Sequence, residues 1–133
     1  MHLPTTLLLT ALSSTLALSA EFNILKPRNW DLHLLTPGCS PNASNFDISV
    51  YHRSGVAARS CISLSEDSNP NTTAVQTISW KSPVTKPYAL CTFRGGDCDP
   101  DGFVEAVRGD WDVCYPYKEW KGWKVVAFGE DCY

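Results

Sequence analysis

The sequence predicts an all-β domain, a small sandwich of two tandem units stapled by disulfides. Three observations carry this. Six cysteines, Cys39, Cys61, Cys91, Cys98, Cys114 and Cys132, all follow an apolar leader and none lies inside it. Short β-branched and aromatic runs alternate with clusters of Pro, Gly, Ser, Asn and Asp, the punctuation of strands and turns. No stretch carries the apolar spacing of an amphipathic helix.

The leader comes first. Residues 1–20 contain Leu7-Leu8-Leu9 and Leu12, no Asp, Glu, Lys or Arg, and the small residues Ala17, Ser19 and Ala20 near their end. That is the make-up of a secretory signal peptide, which leaves residues 21–133 as a single secreted β domain. The apolar part is short for a membrane span, and the charged segment 125–133 is unlike the apolar tail of a lipid-anchor signal, so no membrane anchor is expected. An even cysteine count behind such a leader reads as a disulfide framework in an oxidising, extracellular compartment. All six cysteines are expected to be bridged, with the pairing left open. Bridges matter at this size. Such a chain buries only about two thirds of its unfolded surface, and each bridge typically contributes ~2–4 kcal/mol.

The formal net charge is −3, and from Tyr88 onward five basic residues face nine acidic ones. Nucleic-acid binding needs a basic stripe, so that class of partner is excluded. Two sequons, Asn42-Ala43-Ser44 and Asn71-Thr72-Thr73, make Asn42 and Asn71 candidate glycan acceptors on exposed loops.

Strands are expected at Asp31–Leu35, Phe46–Tyr51, Arg59–Leu64, Val75–Trp80, Ala89–Phe93, Phe103–Val107, Trp111–Tyr115 and Gly122–Phe128. Alternation is plainest in Phe46-Asp47-Ile48-Ser49-Val50-Tyr51, apolar on one face and polar on the other. Turns are expected at Arg53-Ser54-Gly55, Ser68-Asn69-Pro70-Asn71, Arg94-Gly95-Gly96 and Pro100-Asp101-Gly102. The order of features repeats. Ile48-Ser49-Val50-Tyr51 and Leu90-Cys91-Thr92-Phe93 each run into a glycine-containing turn. Each then reaches a cysteine-bearing strand, Cys61 or Cys114, and closes on a Trp-Lys strand, Ser79-Trp80-Lys81 or Gly122-Trp123-Lys124. Two units are therefore expected, roughly 46–86 and 88–128.

That order resembles the βγ-crystallin-like fold of small secreted microbial proteins. The resemblance covers most of residues 46–128 and implies two Greek keys of four strands each. Microbial members often bind calcium through paired Asp or Asn residues ahead of a Ser/Thr pair before the last strand. Neither Thr73–Ser79 nor Lys118–Gly122 keeps that motif, so the family's calcium site is not carried over and no cofactor is expected from it.

Candidate chemistry is sparse. Asp97, Asp99 and Asp101 followed by Gly102 match the opening of a calcium loop, but its twelfth position is Arg108 rather than a bidentate glutamate, which favours a solvated acidic turn. Tyr115, Tyr117 and Trp120 flank Pro116 in a connection and are the candidate contact surface. Trp111 and Trp123 are expected in the core. Arg108-Gly109-Asp110 is an integrin-type tripeptide without further support. No catalytic motif is present. The two histidines beyond the leader, His33 and His52, could be paired with Glu66 and Glu105, although nothing in the spacing supports it. The Tyr-Pro-His motif of small fungal ribonucleases has no counterpart, since Tyr115-Pro116 is followed by Tyr117. The expected function is that of a secreted, monomeric, non-catalytic interaction or effector-type protein. It would act on an extracellular protein or glycan at a cell wall or at a host or competitor surface. A small secreted hydrolase and a membrane-active toxin are the alternatives.

Overall fold

The computed structural model describes residues 28–36, 49–108 and 113–133. The leader, Cys39, Asn42 and Trp111 lie outside them. Eight strands are formed: β1 (Trp30–Leu35), β2 (Ser49–Gly55), β3 (Arg59–Ser63), β4 (Thr77–Lys81), β5 (Tyr88–Phe93), β6 (Phe103–Val107), β7 (Val113–Pro116) and β8 (Gly122–Ala127). They build two antiparallel sheets, ordered β2-β1-β4-β7 and β3-β8-β5-β6. Each half of the chain keeps its first, second and fourth strands together and lends its third to the other sheet. Cys61 on β3 and Cys114 on β7 thus stand on equivalent lent strands, and Trp80 on β4 and Trp123 on β8 on equivalent closing strands.

The unit boundaries need correction. β1 pairs with both β2 and β4, so the first half begins at Trp30 rather than near residue 46. Tyr51 consequently lies on the second strand of its half, whereas Phe93 lies on the first strand of its own; the two are not equivalent. Arg53-Ser54-Gly55, expected as a turn, is the end of β2. Its glycine pairs with Trp30, and a Cβ there would meet the indole ring at 2.7 Å. Gly55 is needed for close approach of a ring, not for reversal of the chain.

The inward faces follow the two-residue period of a strand. Trp30, Leu32 and Leu34 of β1, Tyr51, Ile78, Trp80, Tyr88, Leu90, Trp123 and Val125 are buried in one core shared by both sheets. At its centre Trp30 stacks on Trp80 and meets Trp123 edge-on, with ring centroids 5.8 Å apart in each case. Burying one such ring removes roughly 150–250 Å² from water, worth on the order of 4–6 kcal/mol as an upper bound.

The outer face of β5 is covered as well. A smaller cluster of Cys91, Phe93 and Cys132 sits there, the Cys91–Cys132 bridge holding the carboxyl-terminal segment against the sheet. All six residues of β5 are buried in consequence. A second bridge joins Cys61 on the lent strand β3 to Cys98 in the β5–β6 connection. Cys114 is also disulfide-bonded. Gly122 is fixed by packing, because a Cβ there would overlap the carbonyl oxygen of Gly95.

Two outcomes follow for stability. Replacing Cys91 and Cys132 together by Ala is expected to cost about 2–5 kcal/mol in denaturant unfolding at neutral pH without reductant, so that the wild-type bridge stays intact. Gly122→Ala is expected to lower the melting temperature measurably, since the atom it would displace is backbone rather than a mobile side chain. Wild-type stability in either variant would contradict this packing.

Candidate functional site

Two constellations of polar side chains stand out, on opposite faces of the first sheet. The outward face carries Asp31 and His33, two apart on β1 and hence on one side of it. His52 lies directly across from His33 on β2. The two imidazoles stack with centroids 3.9 Å apart and planes inclined by 4°. Both point Nε2 at the same carboxylate: His33 lies 2.9 Å from Oδ2 of Asp31 and His52 lies 2.5 Å from Oδ1. His33 is only 7 % exposed, whereas His52 is open to solvent. Nδ1 of His33 lies 2.8 Å from the Ser49 hydroxyl, which donates to the carbonyl of Tyr51. Burial pushes the Asp31 carboxyl upward, but hydrogen bonds from His33 and His52 outweigh it and hold the group below its ordinary value. Among the described residues, this is the group whose side chains converge as metal ligands do. Lys81 stands opposite Asp31 on β4.

The second constellation opens at the end of β2 and β3. Arg53, Arg59, Ser60, Cys61, Ile62, Ser63, Glu66 and Asp67 line an open cleft of about 600 Å³. Arg53 grips Asp67 with Nε at 2.9 Å and Nη2 at 2.7 Å, a two-pronged contact. Tyr51 donates its hydroxyl to the same carboxylate at 2.6 Å and accepts from Nε1 of Trp123 at 3.0 Å. The cleft is thereby tied to the central aromatic core. Burial, then the adjoining Asp67, pushes the Tyr51 hydroxyl well above its ordinary range, so it stays protonated and donates. Arg59 lies over the rings of Trp30 and Trp123, at 5.6 and 5.9 Å from their centroids. Among the described residues it forms no close ion pair, but its charge helps to hold the Asp67 carboxyl down across the cleft that both line.

The sequence-derived candidates fall elsewhere. Trp120 is wholly buried, Tyr117 is half-buried with its hydroxyl donating to the Trp120 carbonyl, and Tyr115 packs against the core. They form no exposed aromatic platform. The reason is anchorage at both ends of their connection: the Tyr117 amide donates to Gln76 and the Lys121 amide to Phe93, which turns the segment inward. Asp97 and Asp99 use carboxylate oxygens to accept backbone amides of Asp99 and Asp101, capping a 3-10 turn at Pro100–Gly102 rather than converging on one point. Asn71 is exposed in the β3–β4 connection, as a glycan acceptor has to be. Arg108 donates to the carbonyl of Glu130. Neither drawn histidine–glutamate pair forms: Glu105 binds Lys118 at 3.0 Å and Glu66 lines the cleft. Asp31 takes their place. The Asp-Leu-His spacing on one strand was a usable signal; the contribution of His52 required knowing that β1 pairs with β2. No family model, curated protein or solved structure matches the chain.

Acid should weaken the cleft network in a definite direction. The Arg53 fork, opposed by slight burial, holds the Asp67 carboxyl below its ordinary value of 3.8. A carboxyl depressed in the folded state adds stability that is present above its unfolded pKa and is lost as pH falls through the folded value. Asp67→Asn should therefore melt below wild type at pH ~6–7, with the gap closing as pH falls below the ordinary carboxylate range. A gap that stays constant across this range would remove the Arg53–Asp67 pair as its cause. The pair is about a third exposed, so added salt should narrow the gap.

Proposed function

We propose that this chain is a secreted, monomeric binding protein that acts without catalysis at a cell wall or cell surface. Its ligand is a glycan carrying acidic groups, which enters the Arg53–Arg59 cleft. The observation that carries this reading is Arg59: a cation seated on two buried tryptophans, outside the Arg53–Asp67 fork, in the lining of an open polar cleft. Ser60, Ser63 and Glu66 around it supply hydroxyl and carboxylate partners for sugar hydroxyls. The leader and the bridged cysteines support an extracellular site of action. The strand order supports a Greek-key reading of each half, since β4-β1-β2 are neighbours in space and the third strand follows β2 into the other sheet. On that basis we read the fold as βγ-crystallin-like.

The histidines favour binding over the ribonuclease-type alternative. An acid and a base acting on a phosphodiester must flank it, whereas these rings rest on one another.

Pull-down on insoluble polysaccharides tests the proposal. The protein should be retained by uronate-containing polymers, less so at high salt, and poorly by neutral glucans. Arg59→Ala, checked for fold by circular dichroism, should lose about tenfold or more in affinity, the worth of one charge-assisted contact. Equal retention of the variant, or no preference for acidic polymers, would overturn the reading.

A further inference from the structure

We infer that Asp31, His33 and His52 form a binding site for a late first-row divalent cation of the zinc and copper class. The inference is independent of the cleft and of the glycan reading.

Asp31 and His33 leave the same side of β1, and the ladder sets His52 of β2 against His33, so two imidazole Nε2 atoms meet the two oxygens of one carboxylate at 2.9 and 2.5 Å. Nδ1 of His33 is engaged by the Ser49 hydroxyl, so Nε2 is the ring atom turned to the carboxylate. Two imidazole nitrogens and a carboxylate oxygen gathered in this way are the donor set of a divalent cation, with the carboxylate supplying negative charge.

The rest of the arrangement matches. The three ligand atoms lie within 4.8 Å of one another, and each Nε2 lies nearer the carboxylate than the ~3.3 Å between ligands of a tetrahedral zinc centre. Rotation of the exposed His52 ring away from its stack on His33 admits the cation and lets the two Nε2 atoms converge. Nδ1 of His33 is held by Ser49, the outer-shell hydrogen bond that ligating histidines habitually have. Two of the ligands sit on adjacent paired strands and the third is fixed two residues along, so the backbone already holds them in register. Two imidazoles and one carboxylate suit zinc, copper, nickel or cobalt, and suit calcium and magnesium poorly. Three protein ligands leave a fourth position open, on the solvent side where His52 lies.

The test is titration calorimetry of the disulfide-intact secreted protein, produced without a polyhistidine tag, against zinc chloride alone. One saturable site is expected, unaffected by millimolar calcium, with copper binding more tightly than zinc. His52→Ala and Asp31→Asn should each weaken zinc at least tenfold while keeping the wild-type circular dichroism spectrum. Replacing Asp97, Asp99 and Asp101 together by Asn should leave the affinity unchanged. Cobalt offers a second readout, since visible absorption bands of a tetrahedral centre should appear in the wild type and vanish in His52→Ala. Absence of saturable binding, zinc affinity indifferent to His52 and Asp31, or affinity that follows the acidic turn would each overturn the inference.

Discussion

The position of Trp30 governs the rest of the molecule. It lies at the start of β1, yet its ring touches Trp80 of its own sheet and Trp123 of the other, and its Nε1 donates to the carbonyl of Ala57 at 2.8 Å. One side chain thus joins both sheets to the β2–β3 connection. Gly55 across the ladder is what lets the ring lie so close. From Trp123 the connection continues outward through polar atoms, to the Tyr51 hydroxyl and then to Asp67 and Arg53. The same two indoles are the seat of Arg59. The cleft is therefore an extension of the core, and its cations are placed by rings that hydrophobic burial has already fixed.

The exchange of third strands explains the unequal work of the bridges. β3 leaves its own half to pair with β8 at the edge of the opposite sheet, and Cys61–Cys98 binds that lent strand to the β5–β6 connection. Cys91–Cys132 has a different task. It draws Cys132 over the outer face of β5, where Phe93 is buried and Phe103 partly covered, with the exposed Tyr133 ring edge-on to Phe103. A sandwich this small has one shared interior, and the second cluster on an outer face adds apolar burial that the first cannot supply.

Much of this was legible in the sequence. Eight runs were expected as strands and the described residues form eight, because β-branched and aromatic runs between turn residues mark strands directly, although in β2 the faces are reversed, with Val50 exposed and Tyr51 buried. What failed was pairing. Ile48–Tyr51 looks like Leu90–Phe93 in composition, so the repeat was aligned one strand out of step; only the ladder shows that β1 is the partner of β5. Burial of Trp120 was likewise unreadable, because it depends on amides of Tyr117 and Lys121 reaching carbonyls of Gln76 and Phe93, distant in sequence. Hydropathy places a tryptophan between a glutamate and a lysine on the surface as readily as inside. The histidine cluster is a cross-strand object, invisible until the register sets His33 against His52.

β2 carries both polar constellations, and its pleat keeps them apart. His52 and Arg53 are successive residues, so their side chains leave opposite faces of the sheet: one toward Asp31 and solvent, the other toward Asp67 and the cleft. One direct link runs through backbone, Nη1 of Arg53 donating to the carbonyl of His52, and another through Ser49, which joins His33 to the carbonyl of Tyr51. Through either link a change at the histidines reaches the cleft by shifting a carbonyl of β2, and the strand is fixed by Tyr51 in the core and Gly55 against Trp30. A shift of β2 large enough to open the Arg53–Asp67 fork would also have to unseat Tyr51 from Trp123. The aromatic packing that positions the two sites is therefore also what insulates one from the other.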